Sequence, residues 1–172
     1  MIETAPFHPI NLSVANIKTY LFSTLFVIGN LVLPQVCHFI PDGGKILLPI
    51  YFFTLIAAYK FGWKVGLLTA IFSPVVNCLI FGMPMMALLP VILIKSSLLA
   101  IIAAWIANKS RSISLVLIAL TILSYQVLGS LAEWLITMDL SAALQDFRLG
   151  IPGMLLQWIA GWGILRLLAK HE

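Results

Sequence analysis

Charge is scarce in this chain. Of 172 residues only 9% are Asp, Glu, Lys or Arg, against about a quarter in soluble domains, which excludes an ordinary water-facing globule. The two cysteines, Cys37 and Cys78, are too few for a disulfide scaffold or a thiolate zinc site, although one bridge stays open. The three histidines, His8, His38 and His171, are scattered and preform no metal site. Walker, Gly-rich phosphate-loop, HExxH and GxSxG patterns are missing, as are carboxylates paired at a hydrolytic spacing. ATP hydrolysis and ordinary acid–base catalysis within the membrane are therefore not expected. MIETAPFHPINLSVANIK at the start has neither a basic n-region nor a small-residue cleavage site, so no secretory signal peptide is expected. What the chain does have is apolar surface: 62% hydrophobic residues and a mean hydropathy of +1.09. The fold class that follows is an all-α integral membrane protein of one domain.

A helix needs about 20 apolar residues to cross the hydrocarbon layer, and six stretches qualify: 18–37, 45–60, 63–81, 85–107, 113–137 and 149–169. Pro34 and Pro41-Asp42-Gly43-Gly44 end the first; Gly62, Gly82-Met83-Pro84, Asn108 to Arg111 and Met138 to Arg148 separate the others. In a six-span arrangement Lys18, Lys60, Lys64, Lys109, Arg111, Arg166 and Lys170 fall on one side of the membrane. Only Lys45 and Arg148 fall on the other, so both termini are expected in the cytoplasm. The same bias accounts for the basic pI near 9.3 without a nucleic-acid partner.

Polar side chains within spans are costly and face a cavity or another helix. Here they gather toward the outer leaflet. Asn30 and Gln35 belong to span 1 with His38 just beyond it, Tyr51 to span 2, Asn77 and Cys78 to span 3, Lys95 to span 4 and Gln157 to span 6. Gln126, Ser130 and Glu133, spaced by four and three, share one face of span 5. This asymmetry predicts an outward-facing pocket rather than a continuous channel; the competing reading is interhelical glue. Lys95 and Glu133 differ in expected height by roughly 9 Å, a gap a long Lys can partly close, so a structural ion pair competes with solute contact. Gly66, Ala70, Ser73 and Asn77 form a small-residue packing stripe on span 3, with Cys78 about 100° away and facing the expected pocket. In MDLSAALQDFR, Leu140, Ala143, Leu144 and Phe147 recur at helical spacing after Asp139 or Ser141 as a cap, predicting a short lid helix or a solvated connector.

A six-span chain with an outward polar pocket resembles the substrate-binding S components of energy-coupling factor vitamin transporters. The stretch LPIYFFTLIAAYKFGWKVGLLTAIFSPVVNCLIFGMP, residues 48 to 84, carries that resemblance. The thiol of Cys78 near the outer end of span 3 looks like that of the solitary, cobalamin-specific BtuM-like group. Span 1 offers only Thr19 and Ser23 where module-docking members carry an Ala-x-x-x-Ala pattern, as suits a solitary member. The resemblance implies a bacterial cytoplasmic-membrane protein that binds cobalamin, with Cys78 as axial cobalt ligand promoting decyanation of cyanocobalamin. It also implies either a shared energising module or none. Soft thiolate donation to cobalt is sound chemistry. Two alternatives stand beside it: an S component for another vitamin or small organic precursor, in which Cys78 only packs, and a membrane assembly protein without ligand, in which the polar groups only glue helices and a Cys37–Cys78 bridge is open.

Overall fold

Asn16 starts the first long helix, its side chain accepting a hydrogen bond from the Lys18 amide. The computed structural model describes residues 5–170, so His171 lies outside the described residues. After α1 (Ile17–Cys37) come α2 (Gly43–Leu47) and a 3-10 turn, Pro49–Tyr51, that runs into α3 (Phe52–Phe61). Helix α4 covers Trp63–Phe81, and a second 3-10 turn, Met86–Leu88, leads into α5 (Leu89–Ser110). Then follow α6 (Leu115–Thr137), the short α7 (Leu140–Ala143) and α8 (Gln145–Leu149), and α9 (Ile151–Lys170).

Among the described residues, five helices are long and apolar enough to cross a membrane: Ile17–Cys37, Trp63–Phe81, Met86–Ser110, Leu115–Thr137 and Ile151–Lys170. Their outer faces expose rows of large apolar side chains, such as Leu21, Leu25, Ile28 and Val32 on α1 and Leu120, Leu123, Val127 and Leu131 on α6. A multi-pass, all-α membrane protein in contact with lipid accounts for such surfaces.

The expected second span, 45–60, is not one helix. Pro49 disfavours helical geometry in the residue before it, and Leu48 takes a left-handed backbone with φ 47°. The remaining α3 has ten residues, about 15 Å against a hydrocarbon core of about 30 Å. A helix this short is tolerable because all its residues except Phe53 are buried. Helices α1, α4, α5 and α9 surround it, so protein covers its backbone where lipid could not. Pro34 also departs from expectation, standing inside α1 rather than ending it.

The bundle has two distinct ends. At one, β1 (Ala5–Pro6) pairs antiparallel with β2 (Ser112–Ile113). Phe7 is buried there, 5.5 Å from the Tyr59 ring and under the Lys60 ammonium. The Ile10 and Leu12 amides donate to the carbonyls of Lys60 and Phe61. We term this the strap end. The opposite, cap end carries α2, the Met86–Leu88 turn, α7 and α8.

Candidate functional site

The polar residues of the spans form three groups, each held by a different set of helices. In the first, Asn30 Nδ2 donates to Thr54 Oγ1 (3.0 Å) and Ser73 Oγ (3.1 Å), and its Oδ1 accepts from the Phe53 amide (3.2 Å). Asn77 Nδ2 donates to the Asn30 carbonyl (2.9 Å) and the Ser73 carbonyl (3.1 Å). The Asn30 bond has a local cause. Pro34 has no N–H, so the carbonyl of Asn30, four residues earlier, loses its helical donor. Asn77 replaces it from the neighbouring helix. Asn77→Ala should therefore lower stability by about 1–2 kcal/mol, and by clearly less in a Pro34→Ala background, where α1 can satisfy its own carbonyl. Thermal unfolding of the four variants checks this; equal losses in both backgrounds would refute it.

The second group joins α9 to the break before α3. Gln157 Oε1 accepts from the Tyr125 hydroxyl (3.0 Å), and Nε2 donates to the Leu48 carbonyl (3.4 Å). The Tyr125 ring lies 5.6 Å from that of Tyr51. The left-handed turn at Leu48 is thus tied down by a glutamine 109 residues further along the chain.

The third group carries charge. Lys95 Nζ on α5 contacts Glu133 Oε2 on α6 and lies 2.8 Å from Asp146 Oδ2 on α8. The three side chains are 4%, 10% and 14% exposed. The ion pair expected between Lys95 and Glu133 is present, but the second carboxylate is a finding of the structure. A signal for it does exist in the sequence: Asp146 stands three residues after Ala143, an acid on the apolar face of the lid segment. That segment folds as two short helices instead of one, and Asp139 caps the first by accepting from the amides of Ser141 (2.8 Å) and Ala142 (3.2 Å). On the same face of α6 as Glu133, fully buried Gln126 has no protein partner for either carboxamide atom and Ser130 Oγ has none; on α5, Ser96 Oγ also has none. The stem of Lys95 lies over Gly129, where a Cβ would come within 2.6 Å of Lys95 Cγ. The face of α6 bearing Gln126, Gly129, Ser130 and Glu133 is therefore turned toward Lys95.

The remaining candidates lie apart from these bonds. Cys78 is buried at the cap end of α4, with Sγ 4.0 Å from Met86 Sδ. Cys37 and Cys78 are both free thiols, so the bridge between them is absent. His38 is exposed at the C-terminus of α1, and Gln35 is half-buried. Among the described residues no group of three or more His, Cys, Asp or Glu side chains is placed to hold a metal ion.

Comparison with protein-family models, curated proteins and solved structures finds no match. Function must be read from the chain itself. Asn30, Asn77, Gln126 and Gln157 are covered almost completely, so they line no open surface. Two surface depressions lie elsewhere. One of about 380 Å³ is lined by Asp139, Ser141, Gln145 and Arg148 on the outside of the cap. The other, about 260 Å³, lies at the strap end between Asn11, Lys64 and Asn108.

Proposed function

We propose that this is a solute-uptake protein of the S-component type, holding a small, polar, vitamin-like solute between α5 and α6 beneath the cap formed by α7 and α8. It crosses the bacterial cytoplasmic membrane six times, α3 being the buried sixth pass, with both termini in the cytoplasm and energising supplied, if at all, by a shared module. One observation carries the reading: Lys95 divides its charge between Glu133 of the bundle and Asp146 of the cap, next to buried polar groups that protein leaves unpartnered. Lifting the cap would break only the Asp146 arm of the triad. A solute entering there meets Lys95, Glu133, Ser130 and Gln126 in turn.

Asp146→Asn should loosen the cap and raise the rate of solute exchange severalfold while the bundle stays folded, because it weakens a charge-assisted bond. Mass spectrometry of solute co-purified with wild type, followed by its dissociation rate from both proteins, tests this. Absence of any co-purifying or exchangeable small molecule would overturn the reading.

A corrinoid is the second reading, favoured by one observation: Cys78 is a free thiol at the cap end whose described neighbour is the soft thioether of Met86. A thiolate–cobalt bond would shift the visible bands of added cyanocobalamin, and Cys78→Ala would abolish the shift with little effect on folding. An unchanged spectrum with wild type excludes the corrinoid.

A further inference from the structure

The triad does not balance. One ammonium faces two carboxylates, leaving a formal excess of one negative charge among side chains that are at most 14% exposed. Uncompensated charge at such depth is strongly unfavourable. Arg148, the nearest further cation along α8, is exposed and turned to Ser141 Oγ at 3.4 Å. The oxygens that would surround a compensating cation are on the same helix face. Gln126, Ser130 and Glu133 follow each other at i, i+4 and i+7, and Gly129 within that face abuts the Lys95 stem. Gln126 is completely buried with its carboxamide oxygen unpartnered, and Ser130 Oγ is unpartnered one turn nearer the carboxylate. On the facing helix, Ser96 Oγ is buried without a partner as well.

We infer that the α5–α6 interface next to Lys95 is a binding site for a single monovalent cation, held by the Glu133 carboxylate together with the Ser130 hydroxyl and the Gln126 carboxamide oxygen. The cation is either a free alkali ion or the ammonium end of the transported solute. All the donors are oxygen, which suits a hard ion or an N–H-bearing group and not a soft metal. Only one carboxylate is left over after Lys95 is paired, which suits a single charge and not a divalent ion. Occupancy would hold α6 to α5 below the cap, so a bound cation and a closed cap favour one another. The inference rests on the proposed solute site being functional, yet the cation can be measured without any solute.

The test uses the full-length protein in lipid nanodiscs at constant ionic strength, with sodium, potassium or methylammonium replacing choline. Radioactive sodium binding and the unfolding temperature are both read. Saturable sodium binding, or a saturable rise in unfolding temperature with sodium or potassium, identifies a free ion. A rise with methylammonium alone identifies an ammonium group. In either case Gln126→Leu and Glu133→Gln should each weaken the response at least about tenfold, while exposed Lys45→Ala leaves it intact. Gln126→Leu removes no charge and so remains informative if Glu133→Gln folds poorly. No saturable response to any of the cations, or an equal response in wild type and Gln126→Leu, overturns the proposal and leaves a proton or water as the compensating group. Co-purified solute without a cation response would sink this inference alone; a sodium response without any solute would sink the uptake reading alone.

Discussion

Replacing Lys95 with Met should destabilise the protein by about 3–5 kcal/mol, the usual penalty for removing one partner of a buried ion pair. The cause is specific. Glu133 and Asp146 both contact the ammonium, and without it two carboxylates would face each other below the cap. Converting both to amides in the Lys95→Met background should return most of the loss, because a neutral set has no unpaired charge to bury. Unfolding temperature in detergent or nanodiscs measures both steps. If Lys95→Met melts like wild type, the triad is not a stabilising unit, and the cap is held by its apolar contacts alone.

Gly66 is the second position of large effect. A Cβ there would stand 2.5 Å from Ala58 Cβ, 2.9 Å from Ala58 Cα and 3.2 Å from Ala100 Cβ. Three helices, α3, α4 and α5, converge on this point, and the nearest atoms belong to short side chains and backbone that cannot swing away. Gly66→Ala is expected to cost about 1–3 kcal/mol through overpacking, and Gly66→Val more, with loss of monodisperse protein on size-exclusion chromatography. Gly163 serves as the control. It is helical, and a Cβ added there would find nothing within 4 Å, so Gly163→Ala should be neutral or slightly stabilising. Equal behaviour of the two alanine variants would show that the α3–α4 seam is more compliant than its distances imply.

The sequence carried most of the long helices, since five apolar runs of 19 to 25 residues leave little choice of partner or period. The stripe Gly66, Ala70, Ser73 and Asn77 was legible for the same reason: spacing alone puts it on one face, and all four residues are buried. Span 2 was harder. Its hydropathy resembles that of its neighbours, but a helix enclosed by other helices need not match the bilayer, and only Pro49 hinted at the break. Pairings between distant elements were not legible either. Asn77 meets the carbonyl orphaned by Pro34 across 47 residues, and Asp146 reaches Lys95 across 51. Both depend on the relative register of packed helices, which no local pattern encodes. The polar residues of spans 1, 3, 5 and 6 could be ranked by depth but not sorted into those that bond each other and those that do not.

The strap at the other end of the bundle also has a meaning in time. The Phe7 amide donates to the Arg111 carbonyl at 3.0 Å, and Ala5–Pro6 pairs with Ser112–Ile113, so its anchor is synthesised about a hundred residues after the strap itself. At ordinary elongation rates that interval is about 5–20 s. Throughout it, the strap has only its contacts with Tyr59, Lys60 and Phe61 to hold it, while the helices through α5 are inserted. Its pairing with Ser112–Ile113 therefore acts as a late seal on the part of the bundle already made, set by the order in which the chain leaves the ribosome.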